Sequence, residues 1–318
     1  MKSNLCWYGL FLAIVMVSLG CKKNKKTLPD INKVYALSKS ELDIAYGIHP
    51  KQKMDIYFPE GYNIKTPVIF YVHGGGFIAG SKEEVSSVAK LFMTKGFVVV
   101  NIGYRLVDVT GLFLKPPLHL KSDVKVADQV ADMNEAVRKY MNIASTHGVG
   151  TTKMYMAGHS AGGTLAMLFV QGDKNKDKVV RASGNLAGPT NLTVSEELLN
   201  NPPHDSIWLP AKELMYRFTG AEVSKSNMLF LMAISPDWVS LNQGGRPNIT
   251  IMPKSNNDDI GVANFKNTIT EAQQYDRQLR DRGVNSSFIL MDTDHGFGNH
   301  PDDKEKAVNY TVSFFLQN

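Results

Sequence analysis

Three short patterns in this chain gather the residue types that acyl transfer from a serine requires. The first is Gly158-His159-Ser160-Ala161-Gly162, with Gly163 after it. A serine hydroxyl attacks a carbonyl only where it stands exposed on a tight turn, and flanking glycines let the backbone crowd there without Cβ clashes. The second is His73-Gly74-Gly75-Gly76-Phe77. Three successive glycines leave backbone N–H groups uncovered, as needed by preorganised donors for the negative oxygen of a tetrahedral intermediate. The third is Asp294-His295-Gly296-Phe297, late in the chain. Ser160 is the expected nucleophile and His295 the expected base. The acid that orients the base is expected from Ser255-Asn256-Asn257-Asp258-Asp259-Ile260, with Asp258 favoured and Asp259 the adjacent candidate. Serine, acid and histidine then follow one another in the order Ser…Asp…His.

These residues need elements to hold them, and the hydrophobic pattern supplies candidates. Residues 67–72 and 97–102 are nearly continuous apolar runs, as strands buried on both faces are. Between them Val85, Val88, Ala89 and Phe92 recur at helical spacing before Gly96. Val126, Val130, Met133, Val137, Tyr140 and Met141 mark a longer helix. Residues 154–157 read as a short strand and 161–171 as a helix, so Ser160 falls on a strand-to-helix turn. Residues 179–182, 248–252 and 287–291 are further strand candidates. Phe265, Ile269, Ala272, Tyr275 and Leu279 mark a helix, and 307–316 a closing one. Such alternation predicts an α/β fold with a mostly parallel central sheet and helices on both faces. Two stretches break it. Residues 107–120 contain Lys115-Pro116-Pro117 and read as a loop. An insertion over about 185–246, with short helices expected near Ser195 and Ala211, reads as a lid or cap above the C-terminal strand edge, where such sheets bind ligands.

From about Met54 onward the chain resembles the bacterial carboxylesterase and hormone-sensitive-lipase-like branch of the α/β-hydrolases. The resemblance lies in Met54-Asp55-Ile56-Tyr57, the His73–Phe77 run with Gly80-Ser81-Lys82, and Val98-Val99-Val100-Asn101-Ile102-Gly103-Tyr104-Arg105-Leu106. It continues in Asp132 before Ala136-Val137, residues 158–163, Ser235-Pro236 and Asp294-His295-Gly296-Phe297. It implies an α/β-hydrolase fold, an oxyanion hole formed by the N–H groups of Gly75, Gly76 and Ala161, hydrolysis of small-molecule esters through an acyl-enzyme, and no cofactor. Ser255 stands where the family's acid loop has glycine, so the register of the acid stays open between Asp258 and Asp259. Amidases such as arylformamidases share the resemblance, and a peptidase of the same fold is a further alternative.

Two readings from other classes compete. A non-catalytic binding protein on such a fold would have lost the serine or the histidine, and both are present. A metal-dependent hydrolase could draw on Asp292, Asp294, His295, His300 and Asp302, which suit a divalent ion, but it leaves Ser160 without a role.

The 318 residues carry 35 Lys+Arg against 30 Asp+Glu, a formal net charge of +5. Lys2, Lys22, Lys23, Lys25 and Lys26 account for the whole excess, so the remainder is balanced and nucleic acid is not an expected partner. Residues 5–19 form an apolar run of about 15, shorter than a membrane span and matching a secretory segment. Ser18-Leu19-Gly20-Cys21 ends it, which resembles a bacterial lipoprotein signal. The expected organisation is a signal peptide at 1–20, a basic tether at 21–32 and one domain at 33–318. A lipid on Cys21 would anchor that domain to a membrane surface of the cell envelope. Cys6 and Cys21 are the two cysteines of the chain, so the domain needs neither disulfide nor thiol. Metabolic labelling with an alkyne fatty acid should mark the wild type and not Cys21→Ser; an unmarked wild type would reduce the leader to plain secretion.

Overall fold

A computed structural model describes residues 30, 32–257 and 268–318. The leader, Cys21, Asp258, Asp259 and Phe265 lie outside the described residues.

Eight strands form one sheet in the order β1-β2-β4-β3-β5-β6-β7-β8. They are β1 (Leu37–Ala45), β2 (Lys53–Pro59), β3 (Val68–Val72), β4 (Val98–Ile102), β5 (Met154–His159), β6 (Val180–Leu186), β7 (Asn248–Pro253) and β8 (Ser286–Met291). Strand β2 pairs antiparallel with both β1 and β4, and every pair from β4 across to β8 is parallel. The nine described helices are α1 (Ser86–Thr94), α2 (Val126–Ile143), α3 (Ala161–Gln171), α4 (Glu196–Asn200), α5 (Asp205–Thr219), α6 (Met228–Met232), α7 (Pro236–Gln243), α8 (Thr268–Asp281) and α9 (Asp303–Gln317).

Strand periodicity divides the core between the two faces of the sheet. Val68, Phe70 and Val72 of β3 join Val98, Val100, Met154 and Met156 in a cluster that packs on α2 and α3. Ile69, Tyr71, Val99 and Tyr155 face the other way, onto Phe92 of α1 and Phe315 of α9. Helix α3 is buried on every side, as an element apolar all round must be.

The sequence pattern located β3 to β8 and the principal helices; it marked neither β1 nor β2 as a strand, and the structure differs at three further places. Strand β6 continues past Ala182 to Leu186, so the insertion starts after it. Ser183, Gly184 and Asn185 are all buried, with Ser183 bonded to Asn248 and Asn185 to Gly188. The helix expected to be short near Ala211 runs for 15 residues with Pro210 inside it. Met141 is exposed rather than on the buried stripe of α2.

Backbones approach closely where α3 starts. A Cβ on Gly162 would stand 2.2 Å from the carbonyl oxygen of Val72 and 2.4 Å from that of His73. A Cβ on Gly158 would meet the Gly162 carbonyl at 2.3 Å. These two glycines let the helix start directly over the ends of β3 and β5. Gly162→Ala should therefore cost roughly 1–3 kcal/mol of stability, the range for overpacking, measured as a lower urea midpoint at unchanged slope.

Candidate active site

The parallel register brings the three motifs to one edge. Val72 lies opposite Gly158, His159 opposite Leu186, and Pro253 of β7 opposite Met291 of β8. The glycine run leaves β3, Ser160 leaves β5 and the Asp294–Phe297 motif leaves β8 at this common C-terminal edge.

Ser160 has φ 53° and ψ −127°, outside the regions L-residues prefer. Its N–H donates to the Leu186 carbonyl at 2.7 Å, and its own carbonyl accepts from Gly163 and Thr164. Those bonds hold a backbone that would otherwise relax, and strain of this kind persists where surrounding structure over-determines it. A Cβ on Gly74 would come within 3.1 Å of the Ser160 Cβ, so the glycine run abuts the serine.

In that run Gly75 (φ 110°), Gly76 (φ 61°) and Phe77 (φ 69°) are consecutively left-handed. Gly75 and Gly76 can adopt this without penalty; Phe77 is held there by its neighbours. Its carbonyl accepts from Gln129 Nε2 at 2.7 Å and from the Val107 N–H at 3.0 Å, and its ring packs edge-on against Phe218 at 5.1 Å. The N–H groups of Gly75, Gly76 and Ala161 donate to no partner among the described residues. Ala161 opens α3, so the helix dipole adds positive potential at its N–H.

A buried polar scaffold supports the run from below. His73 stacks on Tyr104 at 4.1 Å, and the Tyr104 hydroxyl donates to the His73 carbonyl at 2.9 Å. Burial pushes the His73 imidazole down to about 4, so it is neutral at ordinary pH. Asp132, 1% exposed, takes the Arg105 guanidinium at 2.6 Å and the Gln52 amide at 2.7 Å. Arg105 follows Tyr104 directly, which links this ion pair to the glycine run.

His295 lies against His159, ring centroids 4.9 Å apart, and its carbonyl is 2.7 Å from His159 Nε2. A carbonyl only accepts, so Nε2 of His159 carries the proton. Burial holds the His159 imidazole below its usual pKa, in the neutral form. For His295, burial first and His159 second, against the opposing charge of Asp294, bring the pKa down to about 4. His159 thus joins the end of β5 to the segment that follows β8. Its position inside the serine motif gave no sign of this, because the partner is a backbone carbonyl 136 residues away.

The alternative ligand set for a metal is engaged elsewhere. Asp294 accepts from the Gly298 N–H at 2.7 Å, Asp302 pairs with Lys306 at 3.0 Å, and Asp292 with Lys254 at 3.5 Å. Among the described residues no three His, Cys, Asp or Glu side chains gather as a metal site would require. The arrangement assembles a strained serine, bare backbone donors and a neutral imidazole at one sheet edge, the parts acyl transfer uses.

The chain is similar in part to known proteins. A family model described as BD-FAE matches residues 54–197. Kynurenine formamidase of Salmo salar is 28% identical over 137 residues, covering 43% of this chain and 40% of its own length. Pyrethroid hydrolase Ces2a of Mus musculus is 36% identical over 115 residues, covering 35% of this chain and 19% of its own. The chain thus spans less than half the length of these curated relatives. A truncated carbohydrate esterase from gut microbiota superposes with a TM-score of 0.65 at 15% identity, covering 89% of this chain and 99% of that one.

The site geometry makes His159 testable on its own. His159→Phe keeps the ring volume but leaves the His295 carbonyl without its donor. It should slow reaction of Ser160 with a fluorophosphonate about tenfold, the equivalent of one buried hydrogen bond. His159→Gln, which retains a donor, should recover most of the rate; equal losses in both variants would count against the bridge.

Proposed function

We propose that the chain is a serine esterase acting on small-molecule esters, built on the architecture of an α/β-hydrolase, a mostly parallel eight-stranded sheet flanked by helices. The observation that carries this reading is the strained Ser160 at the β5–α3 turn, abutted by the glycine run. Ser160 Oγ attacks the ester carbonyl while His295 takes its proton. The N–H groups of Gly75, Gly76 and Ala161 receive the oxyanion. His295 then passes the proton to the alcohol oxygen as the ester bond breaks, leaving an acyl-Ser160. Water repeats the cycle and frees the acid. In this reading Asp258, a few residues past β7 in sequence, orients His295. The match to a pyrethroid hydrolase supports ester cleavage. Kynurenine formamidase among the relatives favours a second reading, cleavage of an aryl formamide by the same residues, with an amine as leaving group.

A panel of p-nitrophenyl esters and aryl formamides, with Ser160→Ala as blank, separates the two. The fluorophosphonate should label the wild type and not Ser160→Ala; labelling that survives the substitution would overturn the nucleophile. Asp258→Asn should lose on the order of 10³–10⁴-fold in kcat, far more than Asp259→Asn, and the reverse ranking would move the acid by one residue. Because His295 must be neutral to accept a proton, activity should fall as pH drops through its pKa. That acid limb of kcat/KM should be displaced from the ordinary imidazole value of about 6.5 toward about 4.

A further inference from the structure

Arg217 is the largest fully buried side chain, and its guanidinium belongs to no step above. It lies on α5, within the insertion, with its side chain 0% exposed. Four of its N–H donors are used. Nε–H donates to Glu213 at 3.0 Å. The other bonds go to backbone carbonyls of the 107–120 loop: Asp108 at 3.0 Å, Thr110 at 2.9 Å and Leu118 at 2.9 Å. Glu213 completes the contact from the acceptor side. Its carboxylate takes the Leu120 N–H at 3.0 Å and lies 2.9 Å from His119 Nδ1. Burial disfavours that charge, yet the Leu120 N–H, Arg217 and His119 together hold the Glu213 pKa below its usual value. One buried ion pair therefore fastens both ends of the loop to the cap helix.

The clamp lies next to the candidate site. Val107, at the root of the loop, donates to the Phe77 carbonyl, and Phe218, the residue after Arg217, packs on the Phe77 ring. Phe77 directly follows Gly76. The fastened loop also exposes apolar side chains, with Phe113 at 68%, Leu114 at 55% and Leu118 at 46%. A loop that spends polar groups on a buried guanidinium while showing phenylalanine and leucine outward is shaped for an apolar contact.

We propose that Arg217, paired with Glu213, is a specificity-determining positioning residue: it fixes the 107–120 loop to α5 as one apolar wall beside Gly75–Phe77, against which the apolar acyl portion of an ester packs. The inference rests on the esterase reading and names what selects the substrate there. A lysine cannot replace the guanidinium, because its three donors diverge from a point and do not form a planar fork. Removing the arginine alone strands Glu213 as a buried charge, whereas replacing both partners by apolar residues of similar volume leaves no unpaired charge.

The test compares kcat and KM for p-nitrophenyl acetate and octanoate in the full chain and in Arg217→Lys, Arg217→Met and Arg217→Met/Glu213→Met. Labelling by a small fluorophosphonate serves as the check on folding, and the double variant covers the case in which a single one fails to fold. The octanoate-to-acetate ratio of kcat/KM should fall roughly tenfold or more, the scale on which apolar pockets discriminate. The loss should appear in KM for octanoate. Amide hydrogen exchange over 108–120 should quicken in the same variants. Parallel losses on both esters, or an unchanged ratio in the folded double variant, would overturn the proposal and leave the esterase reading intact. A wild type that cleaves no ester and takes no label would overturn both.

Discussion

The site depends on how near two stretches of backbone can come. Helix α3 starts over the ends of β3 and β5 at a separation where a single Cβ on Gly158 or Gly162 would overlap backbone atoms. That approach carries Ser160 into its strained conformation and brings Gly74 against it. No side-chain interaction could substitute for this, because the quantity being set is the distance between main chains. A larger residue at either glycine pushes α3 away from the ends of β3 and β5.

Holding such a geometry requires a stiff surround, and most of the stiffness here is polar. Phe77 keeps its left-handed backbone through bonds from Gln129 and Val107 and the packing of Phe218. His73 is fixed between Tyr104 and its own chain. Asp132 gathers Arg105 and Gln52 in a buried cluster where removing any partner leaves an unmatched polar group. These contacts join the residue before β2, the segment after β4, and α2 to the glycine run, so the fold itself holds its N–H groups. Under the proposed esterase reading those groups are preorganised for an oxyanion.

Burial also sets the protonation states. His73, His159 and His295 share one dry region, and in each case desolvation is the first cause of a lowered pKa. His73 stacks on Tyr104 and His159 donates to the His295 carbonyl, each as a neutral ring. Elsewhere the same low-dielectric surround acts on charge. Glu213 keeps its pKa below the usual value despite burial, because the Leu120 N–H, Arg217 and His119 surround its carboxylate.

Strands β3 to β8, the principal helices and the serine, glycine and histidine motifs were legible in the linear chain, since each rests on local rules, whereas β1 and β2 were not. Apolar runs mark strands buried on both faces, 3.6-residue spacing marks helices, and Gly-x-Ser-x-Gly between a strand and a helix marks the turn. Beyond such rules the chain was silent. The apolar pattern ends the strand at Ala182, whereas packing against α3 and α9 continues it through residues 183–186. His159 pairs with a carbonyl 136 positions away, Asp132 with Gln52 across 80, and Arg217 with Asp108 across 109. A backbone carbonyl has no side-chain identity for a pattern to register, and an arginine in a helix looks solvent-bound until the fold encloses it. The sequence by itself determined which chemistry the chain is equipped for; the tertiary structure alone decided what holds that chemistry in place, because those partners meet only after long-range packing has closed the distance between them.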